Sequence, residues 1–178
     1  TMIAYMDGHP QVGAAGPRLV GPDGAMQRSY DLFPLRPWQM AWQKAFDAIC
    51  PGNALTRRGR IGRWDPTRPL PVDWLVGAAL LVRGDVVARV GGLDERFWMY
   101  GEDLDWCYRI RKAGWEVHYL PEATVYHRHG GSSERSPELA RQLARRREES
   151  LVLFYRRHYG ALAALGVRSI LAVKRRRV

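Results

Sequence analysis

Residues 72–83 read Val-Asp-Trp-Leu-Val-Gly-Ala-Ala-Leu-Leu-Val-Arg, a near-continuous apolar run that has to be buried wherever it lies. It is shorter than the roughly 18 apolar residues of a membrane-spanning helix, and no other run in the chain reaches that length. The run suits a strand buried on both faces, which needs sheet neighbours. One such neighbour is Gln11–Val20, apolar and Gly-rich, which ends in the turn Gly21-Pro22-Asp23-Gly24. Residues 1–8 read as the end of a helix closed by Gly8-His9-Pro10. From Ala25 to Leu70 the pattern is broken by Pro34, Pro37, Pro51, Pro66 and Pro69, and only Trp38–Ile49 could hold a helix. A loop-rich stretch of this length is usually functional or mobile.

Further along, Asp85–Val90 predicts one or two helical turns ended by Gly91-Gly92. Glu102–Ala113 predicts a helix with Leu104, Cys107 and Tyr108 as its apolar stripe and Gly114 as its stop. Glu116–Leu120 and Thr124–His127 read as two short strands separated by Pro121, and helices follow at Pro137–Tyr159 and Ala161–Arg177. The 178 residues suffice for one domain with a real core, and 46% hydrophobic with 26% charged residues is a globular composition. Cys50 and Cys107 lack the spacing of a zinc site or a redox pair and read as buried or free thiols. The start has no basic region and no long apolar core, so no signal peptide is read there. Beginning on Thr inside a helix end, the chain is expected to be a fragment of a longer protein.

The net charge of +10 asks for an anionic partner, and only Lys44, Lys112 and Lys174 among the 28 basic residues are not arginine. They cluster at Arg57-Arg58-Gly59-Arg60, Arg145-Arg146-Arg147, Arg156-Arg157 and Lys174-Arg175-Arg176-Arg177. Such clusters meet nucleic acid, an anionic membrane face or phosphate-bearing substrates, or are solvated helix faces. Charge alone does not choose between these.

The segment Gly91–Ser133 carries the chemistry. Asp94, Glu95, Glu102, Asp103 and Asp105 crowd together with Phe97, Trp98, Met99 and Tyr100 between them. Aromatic faces beside carboxylates suit sugar recognition, because a pyranose stacks by its apolar face while its hydroxyls donate to carboxylate oxygens. Glu102, Asp103 and Asp105 fall in the first turn of a predicted helix, where the helix dipole favours an ionised carboxylate able to act as a general base. Plain helix capping with an Asp105–Arg109 pair accounts for the same residues.

The order of motifs resembles the family-2 glycosyltransferases, particularly the rhamnosyl- and galactofuranosyl-transferase-like branch. It runs Gly91-Gly92-Leu93-Asp94-Glu95, Phe97-Trp98-Met99-Tyr100, Glu102-Asp103-Leu104-Asp105, Arg109, Gly114-Trp115, Pro121 and His127. Val12-Gly13 to Pro17-Arg18, Gly24–Gln27, Gly77-Ala78-Ala79, Glu149-Ser150 and Phe154–Gly160 fit the same family. The resemblance implies an α/β, incomplete GT-A (Rossmann-like nucleotide-diphospho-sugar transferase) fold. Residues 1–133 would be the acceptor-side part of the catalytic domain and 134–178 an Arg-rich helical extension.

By the same resemblance Asp103 is the catalytic base of an inverting transfer. Asp94, Glu95, Trp98, Tyr100, Glu102, Asp105 and Arg109 would serve the acceptor, with Glu102 and Asp105 either orienting it or holding Arg109. Gly77 and Ala78 would line the donor side, and His127 would ligate a divalent metal (Mn2+ or Mg2+) that neutralises the leaving diphosphate. His129 is a weaker alternative ligand, and His118, in mid-strand, reads as structural.

Implied partners are a nucleotide-diphosphate sugar, a saccharide or polyprenyl-linked acceptor and an anionic membrane surface, with no nucleic acid. The implied location is cytoplasmic, peripheral on the inner membrane face. The family's Asp-x-Asp metal motif and nucleotide pocket lie in a first half that does not precede residue 10, so the chain alone is expected to be inactive. Two rivals stand beside this: a truncated, non-catalytic remnant binding a membrane or partner, and a basic nucleic-acid-binding module. The second leaves the acidic, aromatic cluster unexplained.

Overall fold

The computed structural model describes residues 1–42, 67–128 and 136–175. They form two compact units, the first from residues 1–33, 67–96 and 102–128, the second from 34–42, 97–101 and 136–175. The helix expected from Trp38 begins at residue 37 and is helical to 42; the remainder, with Cys50, the Arg57–Arg60 cluster and His129, lies outside the described residues.

The first unit is built on β1 (Val12–Val20), whose N-terminal six residues are all buried. It pairs in parallel with β7 (Glu116–Tyr126) and antiparallel with β2 (Met26–Gln27) and β6 (Leu81–Val82), while β4 (Leu70–Pro71) adds to the far edge of β7. The β1–β7 register jumps at Gly13, so that Val12 opposes Glu116 and Ala14 opposes Val117. This bulge changes which face the following side chains take. Ala14 joins one core cluster with Val86, Cys107, Ile110, Val117 and Tyr119, whereas Val12 and Ala15 join Met6 and Leu120 in another. Glycine is required at the bulge because a Cβ there would sit 2.7 Å from that of Trp115.

The helix α1 (Met2–Gly8) supplies the second cluster through Met6. Arg83 fastens its C-terminal end, donating from Nε to the Val12 carbonyl at 2.7 Å and from Nη2 to the carbonyls of Met6 and His9. Tyr5 donates to or accepts from His118 Nδ1 at 2.9 Å, and the other ring nitrogen of His118 meets Glu116 at 2.8 Å. His118 is buried and tied at both nitrogens to its own unit.

Two expectations are corrected. Residues 72–83 are not one strand buried on both faces. Trp74–Leu75 (β5) pairs with Tyr30–Asp31 (β3) in a separate two-stranded sheet, while Leu81–Val82 joins the main sheet. Between them Gly77 and Ala78 are exposed. An apolar run by itself does not tell one long strand from two short ones, and the small side chains of Gly77-Ala78-Ala79 offer little area to hold in a sheet. Conversely, the strands expected on either side of Pro121 are a single strand. Its register skips residues 121–123, with Pro17 opposite Leu120 and Arg18 opposite Thr124. Proline has no N–H for the ladder, so the chain bulges there and resumes pairing.

Two helices complete the first unit. α2 (Gly84–Val90) ends at Gly91 with φ 79°, a conformation suited to glycine. α3 (Glu102–Lys112) buries Leu104, Cys107 and Ile110 and ends before Gly114, φ 95°. Cys107 is a free, fully buried thiol that burial pushes up to about 12, so it is chemically quiet at neutral pH.

The second unit is a helical hairpin of α4 (Pro137–Tyr159) and α5 (Ala161–Arg175), turning at Gly160 with φ 90°. Ser136 caps α4 by accepting the Leu139 N–H at 3.1 Å, with proline at the first helical position. Leu143, Phe154 and Tyr155 of α4 and Ala163, Ala164 and Val167 of α5 are buried. Tyr155 and Tyr159 donate their hydroxyls to the carbonyls of Leu35 and Pro34, which docks the proline-interrupted segment on α4.

Candidate active site

Asp103 stands in the first turn of α3, as its place after the aromatic run predicts. Its Oδ1 accepts the Leu104 N–H at 2.7 Å, and its Oδ2 accepts the Gly77 N–H at 2.8 Å. The second bond crosses from the break in the apolar run to the head of the helix and orients the carboxylate. A Cβ added at Gly77 would lie 3.2 Å from the Asp103 Cβ and 3.4 Å from Oδ2, so the close approach depends on glycine. Sequence reasoning placed Gly77 on the donor side; the link to Asp103 has no local signal.

Glu102, beside it, is half-buried, and its Oε2 is buried with no hydrogen-bond partner among the described residues. Burial pushes its carboxyl above the usual glutamate range; a backbone hydrogen bond opposes this, and the Asp103 charge adds to the rise. A carboxyl raised on folding binds protons that the unfolded chain releases. Its effect on stability is therefore adverse above the raised pKa and fades as pH falls through it toward 4.5, its unperturbed value. Glu102→Gln is expected to remove that slope, leaving a chain whose urea midpoint falls less as pH rises from 4.5. Denaturation curves across pH 4 to 7 check this, and parallel slopes in both proteins would contradict it.

Asp105 is fully buried, and its Oδ2 accepts the Arg109 Nε at 2.7 Å. Arg109 also donates from Nη1 to the Val90 carbonyl at 2.6 Å and from Nη2 to that of Gly92 at 2.7 Å. Trp106 Nε1 donates to the intervening Gly91 carbonyl at 2.8 Å. The last carbonyl of α2 and the two that follow it are thus met by donors from α3. Of the two roles expected for Asp105, holding Arg109 is the one its burial fits.

Asp94 is gripped by Arg96 through paired bonds, Nε to Oδ1 at 3.0 Å and Nη2 to Oδ2 at 2.7 Å. Burial works to raise it, but the Arg96 hydrogen bonds and the Arg96 and Arg109 charges outweigh that and hold it below the usual aspartate range. Glu95 is exposed, as is Ala78.

In the second unit, Phe97 is buried while Trp98 is 68% exposed with the Arg146 guanidinium 5.8 Å from its ring centroid. Tyr100 is exposed and has φ 66°, a left-handed conformation uncommon for a non-glycine residue. Gly101 follows at φ 93°, where a Cβ would lie 3.2 Å from that of Ser150, and Ser150 donates to the Met99 carbonyl at 3.4 Å. The aromatic run is shaped by α4, which the sequence reading treated as an extension. Arg146 stands out in the sequence only within a basic cluster and Ser150 only within the family resemblance, and neither signal links them to the aromatic run.

A family model described as Glycosyltransferase like family 2 matches residues 67–148, which span Gly77, the acidic cluster and His127. The chain is also 38% identical over 153 residues, 85% of its length, to an N-acetylglucosaminyl-diphospho-decaprenol L-rhamnosyltransferase of Mycobacterium tuberculosis. The chain belongs to the family-2 glycosyltransferases. It covers 48% of that mycobacterial protein, so it spans about half the length of the curated relatives it matches over most of its own. Shorter matches are to the Rhamnosyltransferase WbbL of Escherichia coli, 43% identical over 56 residues (32% of this chain, 21% of that protein), and to a Pre-mycofactocin glycosyltransferase of M. tuberculosis. The latter is 40% identical over 58 residues, 33% of this chain and 12% of that protein.

Family-2 glycosyltransferases commonly use a divalent metal. Among the described residues no three His, Cys, Asp or Glu side chains come together as a metal site. His127, the ligand the sequence suggests, has its ring oriented by Gln27. Gln27 Nε2 donates to the His127 carbonyl at 2.9 Å, which turns its Oε1 toward His127 Nδ1, also at 2.9 Å. Nδ1 therefore carries the proton, and in the neutral ring Nε2 bears the lone pair a metal would require. No helix among the described residues is long and apolar enough to cross a membrane.

Proposed function

We propose that the chain is the acceptor-side half of an inverting glycosyltransferase that moves a hexose, L-rhamnose first, from a nucleotide diphosphate to a polyprenyl-diphosphate-linked saccharide in surface polysaccharide synthesis. The observation that carries the reading is the Asp103 carboxylate at the head of α3, oriented by the Gly77 N–H inside the segment that matches the family. The activity for which the mycobacterial relative is named supports the choice of sugar and acceptor.

In this reading Asp103 takes the proton of the acceptor hydroxyl as its oxygen attacks the anomeric carbon from the face opposite the diphosphate. The new carbon–oxygen bond forms as the bond to the diphosphate breaks, the diphosphate leaves with that electron pair, and the carbon inverts. Trp98 and Tyr100 offer rings for stacking on a sugar, and Asp94, Glu95 and Glu102 offer acceptor oxygens. Arg109 keeps the Gly91-Gly92 loop in place through its two carbonyl bonds. His127 would hold a divalent metal, which when bound supplies charge neutralisation for the leaving diphosphate. Gly77 and Ala78 remain proposed for the donor side, and the protein is placed in the cytoplasm at the inner face of the membrane.

The test is transfer of radiolabelled rhamnose from thymidine-diphosphate rhamnose to a lipid-diphosphate N-acetylglucosamine acceptor by the full native protein. An α-to-β or β-to-α change at the anomeric carbon is expected. Retention of configuration would sink the mechanism, and no transfer from any nucleotide-activated hexose would sink the enzyme reading.

A further inference from the structure

The outward face of α5 is apolar where a solvated helix should be polar. Ala163, Ala164 and Val167 are buried. Yet Leu162 is 83% exposed, Leu165 58% and Val173 52%, and these three lie within about 80° of one another on the opposite side of the helix. Ile170, 47% exposed, borders them. An exposed ridge of this kind, away from the face the helix buries, marks an interaction surface.

Charge selects the partner. Every charged side chain of α5 is basic (Arg168, Lys174 and Arg175) and all three are exposed, Arg175 with its Nη2 paired to Glu148 of α4 at 2.9 Å. Arg156 and Arg157, both exposed, stand at the end of α4 just before the turn into Leu162. Basic residues therefore occur at both ends of the ridge and beside its middle. A second copy of the chain meeting this ridge about a two-fold axis would bring like charges together. An anionic lipid surface accepts both the leucines and the cations: the apolar ridge enters the headgroup boundary while arginine and lysine meet lipid phosphates.

We infer that α5 is an interfacial helix whose Leu162–Leu165–Val173 ridge docks the protein on an anionic membrane. This rests on the proposed reading only in that a lipid-linked acceptor would lie at that same surface. Docking is measured without acceptor or donor, so its failure and a failure of sugar transfer are separate results.

The experiment is co-sedimentation of the full native protein with phosphatidylglycerol vesicles and, separately, with phosphatidylcholine vesicles at equal lipid. Partitioning at least about tenfold stronger on phosphatidylglycerol, falling as salt rises, is expected. Leu162→Glu with Leu165→Glu should reduce it at least about tenfold. Both side chains are exposed, so thermal melting should be unchanged. Arg168→Glu with Lys174→Glu, which leaves the leucines intact, should abolish the preference between the two lipids. Equal binding to both vesicle types, absence of binding, or binding indifferent to either pair of substitutions would overturn the inference. So would a native dimer, seen by light scattering, that the leucine substitutions dissociate.

Discussion

Asp103→Asn in the complete enzyme is expected to lower kcat by roughly a hundredfold to ten-thousandfold, the range general-base catalysis supplies. The substitution keeps the volume of the side chain but removes its ability to take a proton. It also disturbs the two bonds that orient the group. Both oxygens of Asp103 accept a backbone N–H, one from Leu104 and one from Gly77. An asparagine has one oxygen and one amide nitrogen, so one of those N–H groups would face another donor. Gly77→Ala separates the two effects, because it keeps the carboxyl group but crowds the Asp103 side chain, with the new Cβ 3.2 Å from its Cβ and 3.4 Å from Oδ2. It should lower kcat by about tenfold or more with little change in acceptor KM, since a misplaced base weakens the transition state more than ground-state binding. Initial-rate kinetics on both variants, with melting curves as the folding control, read the result. An Asp103→Asn enzyme with near-native kcat would remove Asp103 from the mechanism.

Arg109→Met is expected to destabilise the folded chain by about 3–5 kcal/mol, the cost of breaking a buried ion pair from one side. Asp105 is fully buried, and its Oδ2 accepts the Arg109 Nε at 2.7 Å. The same guanidinium serves the Val90 and Gly92 carbonyls, so three acceptors are deprived at once. Lysine should recover little, because one ammonium cannot match a planar fork directed at three oxygens. Adding Asp105→Leu to Arg109→Met should restore much of the loss, since the buried charge that Arg109 paired is then gone. Urea denaturation of the native chain, Arg109→Met, Asp105→Leu and the double variant measures the coupling. A loss under about 1 kcal/mol for Arg109→Met would show that the pair is as dispensable as a surface ion pair.

The candidate site was legible where its signal is local. The acidic first turn of α3, the Asp105–Arg109 spacing and the glycine stops after α2 and α3 follow from helix geometry and from residues a few positions apart. The family reading, which rests on the order of such motifs, agrees with the match over residues 67–148. Long-range partners carried no comparable signal. Nothing near Gly77 in the chain points to Asp103, 26 residues away, and nothing near Gln27 points to His127, 100 residues away. The division of the apolar run between two sheets was hidden for the same reason. Its residues are apolar throughout, and which neighbour each half takes depends on strands elsewhere in the chain.

Taken alone, the sequence determined the types and near-limits of the principal helices, the strand at residues 12–20 and the carboxylate cluster that begins α3. Local propensity, capping and periodicity act over a few residues, and these elements need no more. Only the tertiary structure decided that β7 is one strand with a bulge, that Arg109 closes the end of α2, and that the aromatic run packs beside Ser150 of α4. Each of those depends on a backbone N–H or carbonyl finding its partner far along the chain. Such pairing is imposed by the cost of leaving buried polar groups unsatisfied, and no local pattern of side chains encodes it.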